Sequence, residues 1–248
     1  EEVDKAVEIR LYTKYDIPEL EIKHSKDVHW TLQKLIKAGN DVPVDKLDTN
    51  EAAKRGFLEY MQYAHKHGCM WDEGTCMWAA CNGHLKCLQY LREQGCPWDE
   101  RVCAWAARYN HLDCLIYAHN NGCPWNILTC MYAAQGGHLA CLVYAYKNGC
   151  RHYDTITCYV AASNGHLHIL TYLHENGCLW NKSTCSEAAL NGHLDCLIYA
   201  HEHGCPWGSN SDSPFGINHY INYFNDVRER GGCIKRGGKT LCVIQRKY

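Results

Sequence analysis

A Gly-Cys pair stands at positions 68, 95, 122, 149, 177 and 204, a step of 27 residues that lengthens once to 28, between Gly149 and Gly177. Between these marks the chain writes nearly the same text, GCMWDEGTCMWAACNGHLKCLQYLREQ from Gly68 and GCPWDERVCAWAARYNHLDCLIYAHNN from Gly95. A period of this size leaves few folds open. One unit is too short to enclose a core of its own, so each must bury its apolar face on its neighbours, and the architecture is a solenoid.

Within a unit the residues predict two short helices. An Asx residue (Asp45, Asp72, Asp99, Asn126, Asp154, Asn181) precedes the first helix and is placed to cap its free N–H groups. An Ala pair follows, at 52-53, 79-80, 106-107, 133-134, 161-162 and 188-189, and its small side chains let neighbouring helices approach closely. A turn comes next, as at Asn82-Gly83, Gly136-Gly137, Asn164-Gly165 and Asn191-Gly192. The second helix carries Leu85, Leu88 and Leu91 as its buried stripe, and Gly95 ends it. The fold class expected is all-α, a solenoid of stacked helix-turn-helix units.

The repeats occupy residues 25–232. They begin with an incomplete unit whose second helix lies in DVHWTLQKLIKA, with Val28, Leu32, Leu35 and Ile36 on one face, and end in a degenerate cap repeat at 208–231. Residues 1–24 form an extended arm or short strand, with Val7, Ile9, Leu11, Thr13, Tyr15 and Ile17 alternating before Pro18. Residues 233–248, CIKRGGKTLCVIQRKY, read as a basic strand-turn-strand tail. Glu1 in place of Met leaves room for a segment upstream.

Net charge is −2, which gives no broad nucleic-acid footprint. The 18 cysteines sit at repeat positions among apolar residues, with neither a signal peptide nor a long apolar span, so a reduced, intracellular protein is expected. Cysteine and histidine still raise the question of chemistry. His84 and Cys87 lie one turn apart, a pair repeated at 111/114, 138/141 and 193/196, and Cys96 with Cys103 is repeated at 69/76, 123/130 and 178/185. The chain supplies its own control. The Cys87 column holds Tyr60 and Ile169, the Cys76 column holds Thr49, and the His84 column holds Phe57 and Tyr220. Metal ligands do not exchange with Phe or Ile, whereas small buried groups and packing rings do. A catalytic pair is a single constellation and not one copy per repeat. No catalytic residue, metal or cofactor is expected.

Aromatic residues form two columns. Trp71, Trp98, Trp125, Tyr153, Trp180 and Trp207 lie in the loops between units and are expected to pack there. Trp78, Trp105 and Tyr132 lie on first helices, a series that Val160 and Glu187 break, which makes Glu187 an accessible position. The inserted residue falls in Arg151-His152-Tyr153, and insertions in repeat arrays map to loops, often on the binding face.

The segments AACNGHLKCLQYLREQGC and AALNGHLDCLIYAHEHGC resemble the second half of the ankyrin repeat, approximately AAxxGHxxIVxxLLxxGA. The whole pattern is similar to the shortened, GCPW-bearing ankyrin-like repeats of giant DNA viruses and some algae and protists, and the resemblance covers residues 25–232. It departs from the family where Thr-Pro-Leu-His is replaced by forms such as Thr75-Cys76-Met77-Trp78, and each unit is about six residues shorter than the usual repeat of about 33. The resemblance implies that the projecting hairpin finger is reduced to a tight GCPW loop. It also implies a noncatalytic scaffold that binds a partner protein along a concave groove. In ankyrins the two residues after Ala-Ala face that groove. Carried over, these are Lys54-Arg55, Cys81-Asn82, Arg108-Tyr109, Gln135-Gly136, Ser163-Asn164 and Leu190-Asn191, of which Arg108 and Tyr109 are the residue types that anchor interfaces. An alternative expectation is a structural component of a larger assembly, for example a viral particle, docked through its ends. Nucleic-acid contact is expected only weakly, through the basic tail, and no membrane contact is expected.

Overall fold

Asp72, Asp99, Asn126 and Asn181 each turn an extended residue into a helix by accepting a backbone N–H with the side chain, and Asp72 and Thr75 form a reciprocal capping box. That local chemistry, repeated, builds the chain. The computed structural model describes residues 27–150 and 155–206, with the backbone of 233–236 and 239–242. The expected arm (1–24) and cap repeat (208–231) lie outside these residues.

Two compact units divide the chain, Glu1–Trp125 and Asn126–Tyr248. The first holds α1 (Val28–Lys37), a short 3-10 turn (Val44–Lys46), α2 (Thr49–Arg55), α3 (Leu58–Lys66), α4 (Glu73–Cys81), α5 (Leu85–Glu93), α6 (Glu100–Arg108) and α7 (Leu112–Asn120). The second holds α8 (Ile127–Gly136), α9 (Leu139–Lys147), α10 (Thr155–Ser163), α11 (Leu167–Glu175), α12 (Lys182–Leu190) and α13 (Leu194–Glu202), then strands β1 (Cys233–Arg236) and β2 (Lys239–Cys242). The strands pair antiparallel, Cys233 with Cys242 through Arg236 with Lys239.

Each unit is a stack of helical hairpins. In the first, α2, α4 and α6 pack in a row, and α1, α3, α5 and α7 form the second row. In the second, α8, α10 and α12 form one row and α11 packs on α13 in the other. The Ala pairs explain the first row: Ala52, Ala53, Ala79, Ala80, Ala106, Ala107, Ala161 and Ala162 are all fully buried. A larger side chain there would push the helices apart. Among the described residues the chain is an all-helical repeat solenoid apart from the terminal hairpin.

Two sequence readings change. The buried stripe of the second helix is Cys87, Leu88 and Leu91, while Leu85 is only half-buried, because its position at the helix start lies at the rim of the hairpin. The cap of α2 is Asp48, whose carboxylate accepts from the Glu51 N–H at 2.9 Å, and not Asp45, which lies in the 3-10 turn. Tyr60 accounts for the shift. It is fully buried where the later units have Cys or, once, Ile169, and its hydroxyl accepts from the Asp48 N–H at 2.7 Å, fixing the start of the helix there.

Candidate functional site

The residues after each Ala pair stand at the C-terminal ends of first helices, and at four of these ends a histidine from the next repeat holds the backbone in place. His84 Nε2 lies 3.1 Å from the Lys54 carbonyl, His166 Nε2 3.2 Å from that of Gln135, and His193 Nε2 3.1 Å from that of Ser163. His111 makes the same bond to the Cys81 carbonyl. A carbonyl only accepts, so the ring nitrogen donates, satisfying one of the orphan carbonyls of a helix end. Each ring also lies on the left-handed glycine of the turn: His84 on Gly56, His111 on Gly83, His166 on Gly137 and His193 on Gly165. The His column is therefore a staple between adjacent repeats, and the side chains at its foot are presented from a fixed backbone.

Two of these staples, His111 and His193, carry a pH dependence. Burial is the larger cause holding His111 and His193 below the ordinary imidazole value, and their bonds to carbonyls oppose it only in part. Unfolded imidazoles take up a proton near pH ~6.5, the folded ones only at lower pH, so the unfolded state binds more protons as acid is added. Stability is complete above about pH 6.5 and falls as the pH drops toward the folded values. The melting temperature is expected to hold from about pH 8 to 7 and to decline below about pH 6.5, before the carboxylates begin to protonate near ~4.5. A flat profile down to about pH 5 would mean that the rings protonate freely in place.

In the first unit the ends of first helices carry cations against aromatic faces. Lys54 Nζ lies 5.5 Å from the Trp78 ring and 3.7 Å from Glu51. Arg55 is bound to both Asp27 and Glu51, so it ties α2 to the cap of α1 and holds both carboxyls below their usual range. Its work is structural. Tyr109 stacks on Trp105, with centroids 5.8 Å apart and planes at 10°, and the Arg108 guanidinium lies 5.6 Å from Trp105 and 5.9 Å from Tyr109. Tyr109 is 47% exposed. Burial raises the Cys81 thiol, and the Arg108 charge opposes that in part.

The remaining candidates divide by role. Asn82, Asn164 and Asn191 are exposed but spend their amides on the carbonyls of Trp78, Val160 and Glu187, at 2.9, 2.8 and 3.0 Å, so they are helix caps first. Gln135 and Glu187 are half-buried, Glu187 accepting from Asn191 at 3.2 Å. Leu190 is 54% exposed. Arg151 and His152 lie outside the described residues.

The loop tryptophans pack. Trp71 lies on His65, Trp125 on His119 and Trp180 on His174, with centroids 4.1, 3.8 and 3.9 Å apart, while Trp98 takes the Arg92 guanidinium at 4.4 Å. Tyr90, Tyr117 and Tyr199 meet Trp71, Trp98 and Trp180 edge-on, so the aromatic seam replaces contacts that a longer loop would make.

The thiols pair differently from the seven-residue spacing in the sequence: the contact runs between the first-helix cysteine and the one twenty residues later, as between Cys158 and Cys178. Burial pushes Cys87 and Cys141 up to about 11 and Cys114 and Cys196 to about 12, the reverse of an activated nucleophile. Among the described residues no group of three or more His, Cys, Asp or Glu could hold a metal ion, and no helix is long and apolar enough to cross a membrane.

No family model and no curated protein matches the chain. Solved structures do. The chain is similar to the human ASB11 ankyrin repeat domain, with a TM-score of 0.59 at 15% identity over 71% of this chain and 96% of that one. It is also similar to one chain of the complex between the Bd0816 predatory endopeptidase from Bdellovibrio bacteriovorus and immunity protein Bd3460, with a TM-score of 0.50 at 16% identity over 63% of this chain and 97% of that one. The chain therefore has the fold of an ankyrin-repeat domain, built from shorter units.

Proposed function

We propose that the chain is a noncatalytic scaffold of the shortened, GCPW-bearing ankyrin type, intracellular, which binds a partner protein through the C-terminal ends of its first helices. The observation that carries this reading is the Trp105–Tyr109–Arg108 cluster. It stands where the repeats differ, its outer ring is half exposed, and its Arg and Tyr are the types that dominate interface energetics. Residues that recur along the chain already account for the stack, through Ala pairs, His staples and the aromatic seam. What varies along the row is free to encode a partner. Lys54 over Trp78 extends the same cationic and aromatic character along the first unit, and Leu190 with Glu187 gives the second unit a different surface.

The test is affinity capture with crosslinking from the native source, followed by binding measurements on Arg108→Ala with Tyr109→Ala. The double variant is expected to keep its helical signal and melting temperature, and to bind the captured protein more weakly by more than ~1 kcal/mol, roughly fivefold or greater. Unchanged affinity would remove this cluster from the interface.

A second reading, a structural subunit docked through its ends, draws on the C-terminal hairpin. Two four-residue strands make a hairpin that is marginal alone in water and leaves both edges open. Lys235, Arg236 and Lys239 make it basic, compatible with weak phosphate contact as well. Concentration-dependent self-association that is lost on removing residues 233–248 would favour this reading over the free scaffold.

A further inference from the structure

In repeat after repeat the structure brings together a thiol from the middle of the first helix and a thiol from the loop that follows the second. Cys158 Sγ and Cys178 Sγ approach to 3.1 Å, both buried. Cys76 with Cys96, and Cys185 with Cys205, are joined by side-chain hydrogen bonds. Cys130 Sγ donates to the Cys150 carbonyl at 3.0 Å. The loop thiols are oriented in common: Cys96, Cys123, Cys150 and Cys205 donate to the carbonyls of Asp72, Asp99, Asn126 and Asn181, the caps of the first helices, at 3.3, 3.2, 3.1 and 3.2 Å. A hydroxyl can serve in the inner position, for Thr49 Oγ1 donates to the Met70 carbonyl at 3.4 Å in the first complete unit. Simple hydrogen bonding does not require cysteine, yet the five later units use it.

We propose that these pairs are sites of intra-repeat disulfide formation, with Cys158–Cys178 the best placed. A disulfide spans about 2.05 Å, so each sulfur of that pair need move only about half an ångström. The bond would tie the first helix to the loop after the second within one repeat and would join no repeat to its neighbour. The oxidant is a small-molecule disulfide. One protein thiolate attacks it and releases a small thiol, forming a mixed disulfide; the second protein thiolate then displaces the other small thiol. Both protein sulfurs are oxidised, the reagent is reduced to two thiols, and the two thiol protons leave on them. The shared hydrogen bond with Cys178, and then burial, raise the Cys158 thiol, so exchange is slow in the closed repeat and proceeds during folding or local opening. Cys178, 6% exposed against 0% for Cys158, is the thiol through which exchange begins.

The experiment refolds the full chain in mixtures of oxidised and reduced glutathione, with a dithiothreitol control, and maps peptides by mass spectrometry without reduction. The expected result is a Cys158–Cys178 crosslink and a melting temperature raised by about 5 °C or more, returning to the control value on reduction. Cys178→Ser is expected to remove this crosslink and leave those of Cys76–Cys96 and Cys185–Cys205. Should that variant not fold, Cys158→Thr, which restores the hydroxyl found at Thr49, serves the same purpose. Mixed disulfides alone, links between chains, a Cys178–Cys185 link, or free thiols in a folded protein would each overturn the proposal.

Discussion

Gly83→Ala is expected to destabilise the protein by about 3 kcal/mol, whereas Gly95→Ala, at nearly the same backbone angle, costs about 1. Both residues are left-handed, with φ of +74° and +78°. An alanine pays the strain of that conformation at either site, on the order of 1–2 kcal/mol. The difference lies in what a Cβ would meet. At Gly95 nothing stands within 4 Å, while at Gly83 the new atom would lie 2.4, 2.7 and 3.0 Å from Nδ1, Cε1 and Cγ of His111. Because Cγ is among them, a turn of the ring cannot clear the clash. The ring must leave, giving up its bond to the Cys81 carbonyl, and an unsatisfied carbonyl at a helix end adds about 1–2 kcal/mol more. Denaturant titrations of the two variants followed by circular dichroism make the comparison. Equal losses would show that the staple moves aside without cost. Asn110, with φ of 65°, stands where the equivalent turns have glycine, and Asn is among the few other residues that tolerate this region.

Much of this was legible before any coordinates, because the repeat multiplies each signal. Six Ala pairs read as a seam, and the burial of that column follows from the need of one helix row to pack on itself. What the sequence hid were relations between positions far apart. The cap of α2 falls at Asp48 because a buried tyrosine in the next helix binds its N–H, which column alignment to Asp45 cannot reveal. The thiol contacts follow from the hairpin returning the chain to its starting helix. A signal for them was present: the twenty-residue spacing survives the insertion, as Cys130/Cys150, Cys158/Cys178 and Cys185/Cys205, whereas the seven-residue spacing becomes eight between Cys150 and Cys158. The His column read as ring packing, but its hydrogen bond to a carbonyl one repeat back needed the turn geometry of the preceding glycine. For the candidate surface, sequence supplied the row and structure sorted it. Arg55 and the asparagines hold helix ends, whereas Tyr109 and Leu190 expose large apolar surface in that row.

That separation between residues that build the stack and residues left over gives the second large effect, in the other unit. Leu170→Ala is expected to cost about 2–5 kcal/mol, and Leu190→Ala to remain within about 0.5 of the parent. Leu170 is fully buried in α11, so truncation leaves a cavity that the surrounding helices fill only in part, and the loss combines transfer and cavity terms. Leu190 ends α12 with 54% of its surface exposed, so its removal opens no cavity. Its contribution belongs instead to binding. Leu190→Ala is expected to weaken capture of the partner protein if the second unit shares the interface, while any loss from Leu170→Ala should vanish under conditions where that variant is fully folded. Thermal melts and binding on the same samples separate the two. A Leu190→Ala chain that melts much lower than the parent would place that side chain in the structural set, and the row of first-helix ends would then no longer divide into positions that pack and positions that bind.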